Sequence, residues 1–299
     1  MDTYTDVTSV RQSGYEFINP LVECETDTID NNQKYLPFEK ELTRKIEEIE
    51  NAHPDTHLSL YFRNLKNGPW FGINENTTFS PASLMKLPIL LMYLKWKEED
   101  PNILQRGIIV NDANTISQEY PPEEEIQVGS GYLISDLLYH LIVYSDNTAS
   151  NNLIKYVPER IQDMVFNDLG IPLPRDIDYA LSVKEYASFF RILYNASYLT
   201  RENSEMALKL LSESKFRGGL AGKIPSDIVI AHKFGEREMI DENGSSINQL
   251  HDCGIVYYTP YPYLICIMTR GSGDIESLSE IVQDTSKTIY DEVSQTYPQ

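Results

Sequence analysis

Strand periodicity occurs near the two ends of this chain and helical periodicity fills its middle, and that arrangement most constrains the fold. His57–Asn64 alternates Leu58, Leu60 and Phe62 with polar partners, and Trp70–Ile73 follows the turn Lys66-Asn67-Gly68-Pro69, as a β-hairpin would. Late in the chain, Asp227–Phe234, Gly254–Tyr258 and Tyr263–Thr269 are rich in β-branched and aromatic residues, the last two joined by Thr259-Pro260-Tyr261-Pro262. Between these groups, Ser83–Lys97, Ile134–Val143, Asp146–Tyr156, Val183–Tyr194 and Asn203–Leu211 read as helices. Pro37–Asn51 and Ile275–Tyr290 add one helix at either end. Early and late strands must therefore meet in one antiparallel sheet, with the helical block beside it. The predicted class is mixed α+β: a single domain over 37–299, with a sheet lobe (37–75 and 226–299), a helical lobe (76–225) and a cleft between them. Residues 1–36 read as a polar, partly ordered arm in which Gly14–Glu25 carries enough apolar residues to pack on the body.

Bulk properties narrow the partners. A net charge of −20 argues against nucleic acid, whose phosphates would be repelled. The longest apolar run, Leu84–Trp96, is too short to span a bilayer and is interrupted by Lys86, Pro88 and Lys95. The opening MDTYTDVTSVRQSGYEF lacks the basic and apolar regions of a signal peptide. Cys24, Cys253 and Cys266 form no metal-like cluster and read as buried thiols, with a cross-strand bridge between the last two the less expected alternative. No cofactor and no metal are called for.

That apolar run raises the chemical question, because it opens with Ser83 and places Lys86 one turn later. A hydroxyl becomes a nucleophile when a base stands within hydrogen-bond reach, and position i+3 lies on the same helical face. Leu84, Leu87, Ile89 and Leu90 can supply the apolar surround that lowers a lysine pKa. The first-turn N–H groups lack intrahelical acceptors and can receive an oxyanion. Alone, Ser-x-x-Lys is weak: a second copy, Ser212-Glu213-Ser214-Lys215, reads as chance. Two more elements add weight. Ser145-Asp146-Asn147 sits between two apolar helical stretches, where an ordinary helix cap is the plain alternative. His232-Lys233-Phe234-Gly235, followed by Glu236, ends a strand-like run, where the alternative is an edge lysine and a turn glycine.

In this order the three elements resemble the Ser-x-x-Lys, Ser-Asp-Asn and Lys-Thr-Gly set of class A β-lactamases and penicillin-binding proteins. The pieces YSDNTASNNLI, GKIPSDIVIAHKFG and HDCGIVYYTPYPYLICIMTRGS extend the resemblance, which runs from about Pro37 to the C-terminus. It implies a five-stranded antiparallel sheet with flanking helices beside an all-helical lobe, and a serine hydrolase that works outside the cytoplasmic membrane on a β-lactam or a D-alanyl-D-alanine-like peptide. By motif, Ser83 is the acylated nucleophile, Lys86 its proton partner and Ser145 the relay to the leaving nitrogen. Asn147 holds the substrate amide, Lys233 attracts its carboxylate, the Glu236 N–H is the second oxyanion donor, and Phe234, Gly235, Glu236 and Arg237 line the substrate site.

Three departures qualify the implied function. Phe234 replaces a threonine whose hydroxyl helps bind the substrate carboxylate, and phenyl cannot donate a hydrogen bond. Cys253 stands where many relatives carry an arginine, leaving Arg237 or Arg270 as substitutes. No Glu-x-x-x-Asn occurs between Asn147 and Lys233, and the nearest acidic loop is Arg175-Asp176-Ile177-Asp178. Acylation with slow release is the expected behaviour; a penicillin-binding or peptide-sensing domain without turnover is the alternative.

Overall fold

The computed structural model describes residues 5–28, 39–66, 68–115, 118, 120–171, 179–240 and 246–298. In chain order the elements are β1 (Thr5–Arg11), β2 (Leu21–Thr28), α1 (Glu39–Ala52), β3 (Thr56–Asn64), β4 (Trp70–Ile73) and β5 (Thr78–Phe79). A 3₁₀ turn over Ala82–Met85 leads into α2 (Lys86–Glu99). There follow β6 (Gly107–Ile109), β7 (Gly131–Leu133), α3 (Ile134–Val143), α4 (Asn147–Tyr156), α5 (Glu159–Leu169), β8 (Leu181–Ser182), α6 (Val183–Tyr194) and α7 (Arg201–Ser212). The chain then forms β9 (Ile230–Ile240), β10 (Ser246–Val256), β11 (Tyr263–Gly271) and α8 (Ile275–Thr296).

The main sheet has five strands in the order β4-β3-β11-β10-β9, every neighbouring pair antiparallel, so both chain ends do build it. Alternation along the strands loads both faces. Leu58, Leu60, Phe62, Ile265 and Ile267 face α1 and α8, where Leu42, Ile46, Leu278, Val282 and Ile289 cover them. Ala231, Ile255, Leu264 and Met268 face the helical lobe, packing with α2 and α6 through Leu87, Leu90, Tyr186 and Phe190. β9 is the sheet edge that meets the 3₁₀ turn, and the cleft forms there.

Several features differ from the sequence expectation, among them the extent of β9, which continues through Lys233-Phe234-Gly235 to Ile240 instead of ending there, and of β10, which begins at Ser246. Cys253 and Cys266 are not free thiols: they face each other in the β10–β11 register and are joined as a disulfide. Helix α5 had no counterpart in the reading, although Ile161, Val165 and Phe166 form its buried stripe and Gly170, at φ +65°, ends it in the left-handed conformation. Residues read as a polar arm contain an antiparallel β1–β2 hairpin.

The segment joining β1 to β2 is fastened to the helical lobe. Phe17 and Ile18 are buried in its core, and the Tyr257 hydroxyl donates to the Phe17 carbonyl at 2.8 Å. The Glu205 carboxylate on α7 accepts the consecutive backbone N–H groups of Glu16, Phe17 and Ile18 at 2.9–3.1 Å. Charge-assisted bonds of this kind are each worth about 1.5–3 kcal/mol when buried and less when exposed. We therefore expect Glu205→Ala to cost about 2 kcal/mol in urea unfolding and to open residues 12–20 to limited proteolysis; Glu202→Ala, one turn away and more exposed, is the control.

Candidate active site

Ser83 lies in the 3₁₀ turn rather than in α2 itself, and this corrects the expectation of a helix beginning at Ser83. The difference matters, because in a 3₁₀ turn side chains three apart eclipse one another. Lys86, the first residue of α2, accordingly places Nζ 2.9 Å from the Ser83 hydroxyl. Pro88 falls in the first turn of α2, where a missing N–H leaves no bond unmade. The turn is held from several sides. The Tyr186 hydroxyl donates to the Leu84 carbonyl at 2.8 Å, Arg237 Nη1 donates to the Ser80 hydroxyl at 2.6 Å, and His251 Nε2 lies 3.0 Å from the Ser80 carbonyl. Burial pushes the His251 pKa down to about 4, so this imidazole is neutral and uses its single N–H for that carbonyl.

Ser145 arrives from the α3–α4 connection, with Asp146 as the N-cap of α4 accepting the Ala149 N–H at 3.0 Å. Lys233 arrives from β9. The Ser145 hydroxyl lies 3.1 Å from Lys86 Nζ and 2.8 Å from Lys233 Nζ, so one oxygen bridges both amines. Lys86 also donates to the Ser145 carbonyl, and its Nζ is 2.6 Å from Asn147 Oδ1. The Gln118 side chain donates to the same Ser145 carbonyl at 3.2 Å. Residues 83, 86, 145, 147 and 233 therefore lie together in one hydrogen-bonded cluster.

Burial sets the electrostatics. Lys86 and Lys233 are both buried, whereas Ser83 is half-exposed and open to a ligand. Desolvation lowers the Lys86 pKa to about 7 against the partial opposition of Asp146 and Glu236. Desolvation and the adjacent Lys86 also push Lys233 well below the ordinary lysine range. A neutral Lys86 keeps two N–H groups for its carbonyl and amide acceptors and turns a lone pair to the Ser83 hydroxyl. The arrangement can thus accept a proton from Ser83 near neutral pH.

Two non-glycine residues beside the site adopt left-handed backbone, Ala82 at φ +48° and Ser145 at φ +56°. Such conformations cost about 1–2 kcal/mol each and persist where the surroundings impose them. Gly235 explains how β9 reaches the turn: a Cβ there would stand 2.8 Å from the Pro81 carbonyl oxygen and 2.9 Å from the Leu84 nitrogen. The backbone leading into Glu236 consequently lies against the turn carrying Ser83.

Phe234 is buried and packs on rings the sequence reading did not single out. It stacks on Phe216 with centroids 3.8 Å apart, and Tyr120 meets both edge-on at 4.8 and 6.0 Å. The Tyr120 N–H donates to Glu236 Oε1 at 3.2 Å, which ties this loop to β9 across the cleft. Of the proposed arginine substitutes, Arg237 is engaged by Ser80 and Arg270 lies 5.3 Å over the Phe79 ring. The acidic loop at 175–178 lies outside the described residues.

Fold and cluster together define the class: a mixed α+β fold of the β-lactamase kind that brings a serine hydroxyl beside a buried lysine. A model of the β-lactamase enzyme family matches residues 41–293, and the chain belongs to that family. A β-lactamase of Proteus vulgaris is 28% identical over 101 residues, which span 32% of this chain and 36% of that protein, about a third of its length. Among solved structures, PBP-A shares 22% identity at a TM-score of 0.71, over 85% of this chain and 96% of its own. A mutant of PBP-A, known as an acyl-enzyme complex with penicillin-G, matches over 86% of this chain and 97% of that one at 21% identity and a TM-score of 0.71. A β-lactamase from Francisella tularensis matches at 21% identity and a TM-score of 0.71, over 86% of this chain and 100% of its own. At these identities the likeness is one of fold.

Proposed function

We propose that the protein is a penicillin-recognising serine acyl-transfer hydrolase that forms an acyl-enzyme on Ser83 with a β-lactam or a D-alanyl-D-alanine-like amide and releases it slowly. The observation that carries this reading is the 2.9 Å contact between the Ser83 hydroxyl and a buried Lys86 whose pKa has fallen to about 7. Lys86 takes the Ser83 proton as Oγ attacks the carbonyl carbon. The N–H groups of Ser83 and Glu236 receive the developing oxyanion at the positive end of the turn. As the C–N bond breaks, the proton passes from Lys86 through Ser145 to the leaving nitrogen, a route supported by the oxygen shared between the two amines. Slow release follows from the lack of a Glu-x-x-x-Asn between Asn147 and Lys233.

A second reading, a penicillin-binding or cell-wall-peptide-sensing domain without turnover, is favoured by Phe234, whose ring lies over Lys233 Nζ at 4.3 Å. Mass spectrometry after incubation with a penicillin decides between them. A Ser83 adduct that decays with product release supports the hydrolase, a permanent adduct supports the sensor, and failure of every β-lactam and D,D-peptide to modify the protein sinks both. Work outside the cytoplasmic membrane is supported by the Cys253–Cys266 disulfide; among the described residues no helix is long and apolar enough to cross a membrane.

The pH dependence follows from Lys86. Because only the neutral amine can accept the Ser83 proton, the acylation rate is expected to rise about tenfold per unit below pH 7 and to level above it. Stopped-flow acylation between pH 5 and 9 checks this, and a flat profile across neutrality would remove Lys86 from the role of base.

A further inference from the structure

The residue that replaces the threonine also relocates the place where an anion can bind. Lys233 is fully buried, and its amine donates to the Ser145 hydroxyl at 2.8 Å and to the Phe234 carbonyl at 2.9 Å. The Phe234 ring stands over that amine at 4.3 Å and is pinned by its stack on Phe216. A carboxylate arriving beside Lys233 on β9 meets phenyl instead of ammonium. Directly beyond the rings lies a cavity of about 340 Å³ walled by Tyr120, Tyr144, Phe216 and Phe234. Lys215 and Arg217 line it from either side of Phe216 in sequence: the central ring turns into the stack, and the two flanking cations remain exposed. Among the described residues neither cation makes an ion pair, although the chain carries 45 acidic residues and Glu123 also lines the cavity. The Lys215 of the second Ser-x-x-Lys thus has a placement of its own.

We infer that this cavity is a leaving-group subsite for an anion held away from the scissile bond, so that the favoured substrates are acyl compounds whose leaving group carries a flat apolar portion ending in a carboxylate. The Tyr120 ring and the edges of the Phe216–Phe234 stack pack on the apolar portion, and Lys215 and Arg217 receive the carboxylate. The compact carboxylate of a single D-alanine or of a penicillin gains less, since it ends at the Phe234 ring. The inference rests on the acyl-transfer reading. The Ser83 Oγ–acyl bond forms, the acyl–leaving-group bond breaks, and the Ser83 proton leaves with the departing group by way of Lys86 and Ser145.

Two probes test it: the phenyl ester and the 3-carboxyphenyl ester of one N-acylglycine, compared by phenol release and by the mass of the Ser83 adduct, with rates normalised to hydroxide hydrolysis. The wild-type protein is expected to acylate roughly fivefold faster from the carboxylated ester, a modest preference because both cations are solvated, and to lose that preference in molar salt. In the Lys215→Ala/Arg217→Ala double variant the ratio should fall to about one, and in Lys215→Glu/Arg217→Glu it should invert. Phe234→Thr should raise acylation by penicillin relative to the carboxylated ester. Acylation of Ser83 by both esters without preference, or a preference that survives the double variant, overturns the subsite while leaving the acyl-transfer reading standing. Absence of acylation by either ester and by penicillin ends both.

Discussion

Acylation by a penicillin is expected to vanish in Ser83→Ala and to slow by about a thousandfold in Lys86→Met, because the first change removes the attacking oxygen and the second its proton acceptor. Methionine keeps the unbranched apolar stem of lysine and lacks only the terminal amine position, so the surrounding helices need not move. Ser212→Ala, at the second Ser-x-x-Lys, should leave labelling intact: that hydroxyl donates to the Lys209 carbonyl at 2.7 Å and, among the described residues, bonds no amine. An adduct that survived Ser83→Ala would place the chemistry elsewhere. The lysine variant carries a second expectation of opposite sense. In the unfolded chain Lys86 holds its proton up to its ordinary value of 10.5, while in the fold it releases it near 7. Between these values the unfolded state binds more protons, so this group makes stability rise with pH, and at neutral pH it opposes folding. Lys86→Met is therefore expected to be more stable than wild type by about 1–2 kcal/mol in urea at pH 7. A variant that lost both acylation and stability would indicate collapse of the site and not removal of a base.

The parts that short-range pattern could carry were legible in the sequence. Helices α3 and α6 begin and end where apolar spacing placed them, and β11 starts at Tyr263 as read. By contrast, β9 runs six residues past the read end at Phe234 and β10 begins eight residues before Gly254, because their polar outer halves carry no β-branched run. The convergence of Ser83, Lys86, Ser145 and Lys233 was legible because hydroxyl and amine recur at spacings one mechanism can use. What depended on distant partners was not. The Glu205 carboxylate finds its three N–H donors nearly two hundred residues away, and nothing local to Glu205 or to Phe17 announces the pairing. The disulfide had a readable sign: Cys253 and Cys266 lie equally far from the Thr259-Pro260 junction, which in a regular hairpin makes them opposite partners. Phe234 was read for the hydroxyl it lacks, and what its ring does instead depends on Phe216, a residue with no pattern of its own. Local periodicity thus set the frame, and long-range contacts decided how the cleft is lined.

Gly235→Ala is expected to cut acylation by about a hundredfold or more, although the substitution adds one methyl and touches neither the nucleophile nor its base. The new Cβ would stand 2.8 Å from the Pro81 oxygen, 2.9 Å from the Leu84 nitrogen and 3.1 Å from Leu84 Cγ. Two of these are backbone atoms that cannot swing aside. Leu84 N–H donates to the Pro81 carbonyl at 2.9 Å, the Leu84 carbonyl accepts the Tyr186 hydroxyl, and the Leu84 side chain is fully buried. The strain is relieved only by moving β9 away from the turn, which separates the Glu236 N–H from the Ser83 N–H and opens the pocket for the oxyanion. Overpacking of this kind costs about 1–3 kcal/mol of stability, so the variant should still fold and the rate can be measured. Gly129→Ala is the fitting control: its φ of +87° makes alanine unfavourable there, but open space surrounds the position, so it should lose about 1 kcal/mol and keep its acylation rate. Wild-type acylation by Gly235→Ala would mean that the oxyanion is received by donors other than these two, whereas a selective loss of rate ties catalysis to the close approach of one strand and one turn.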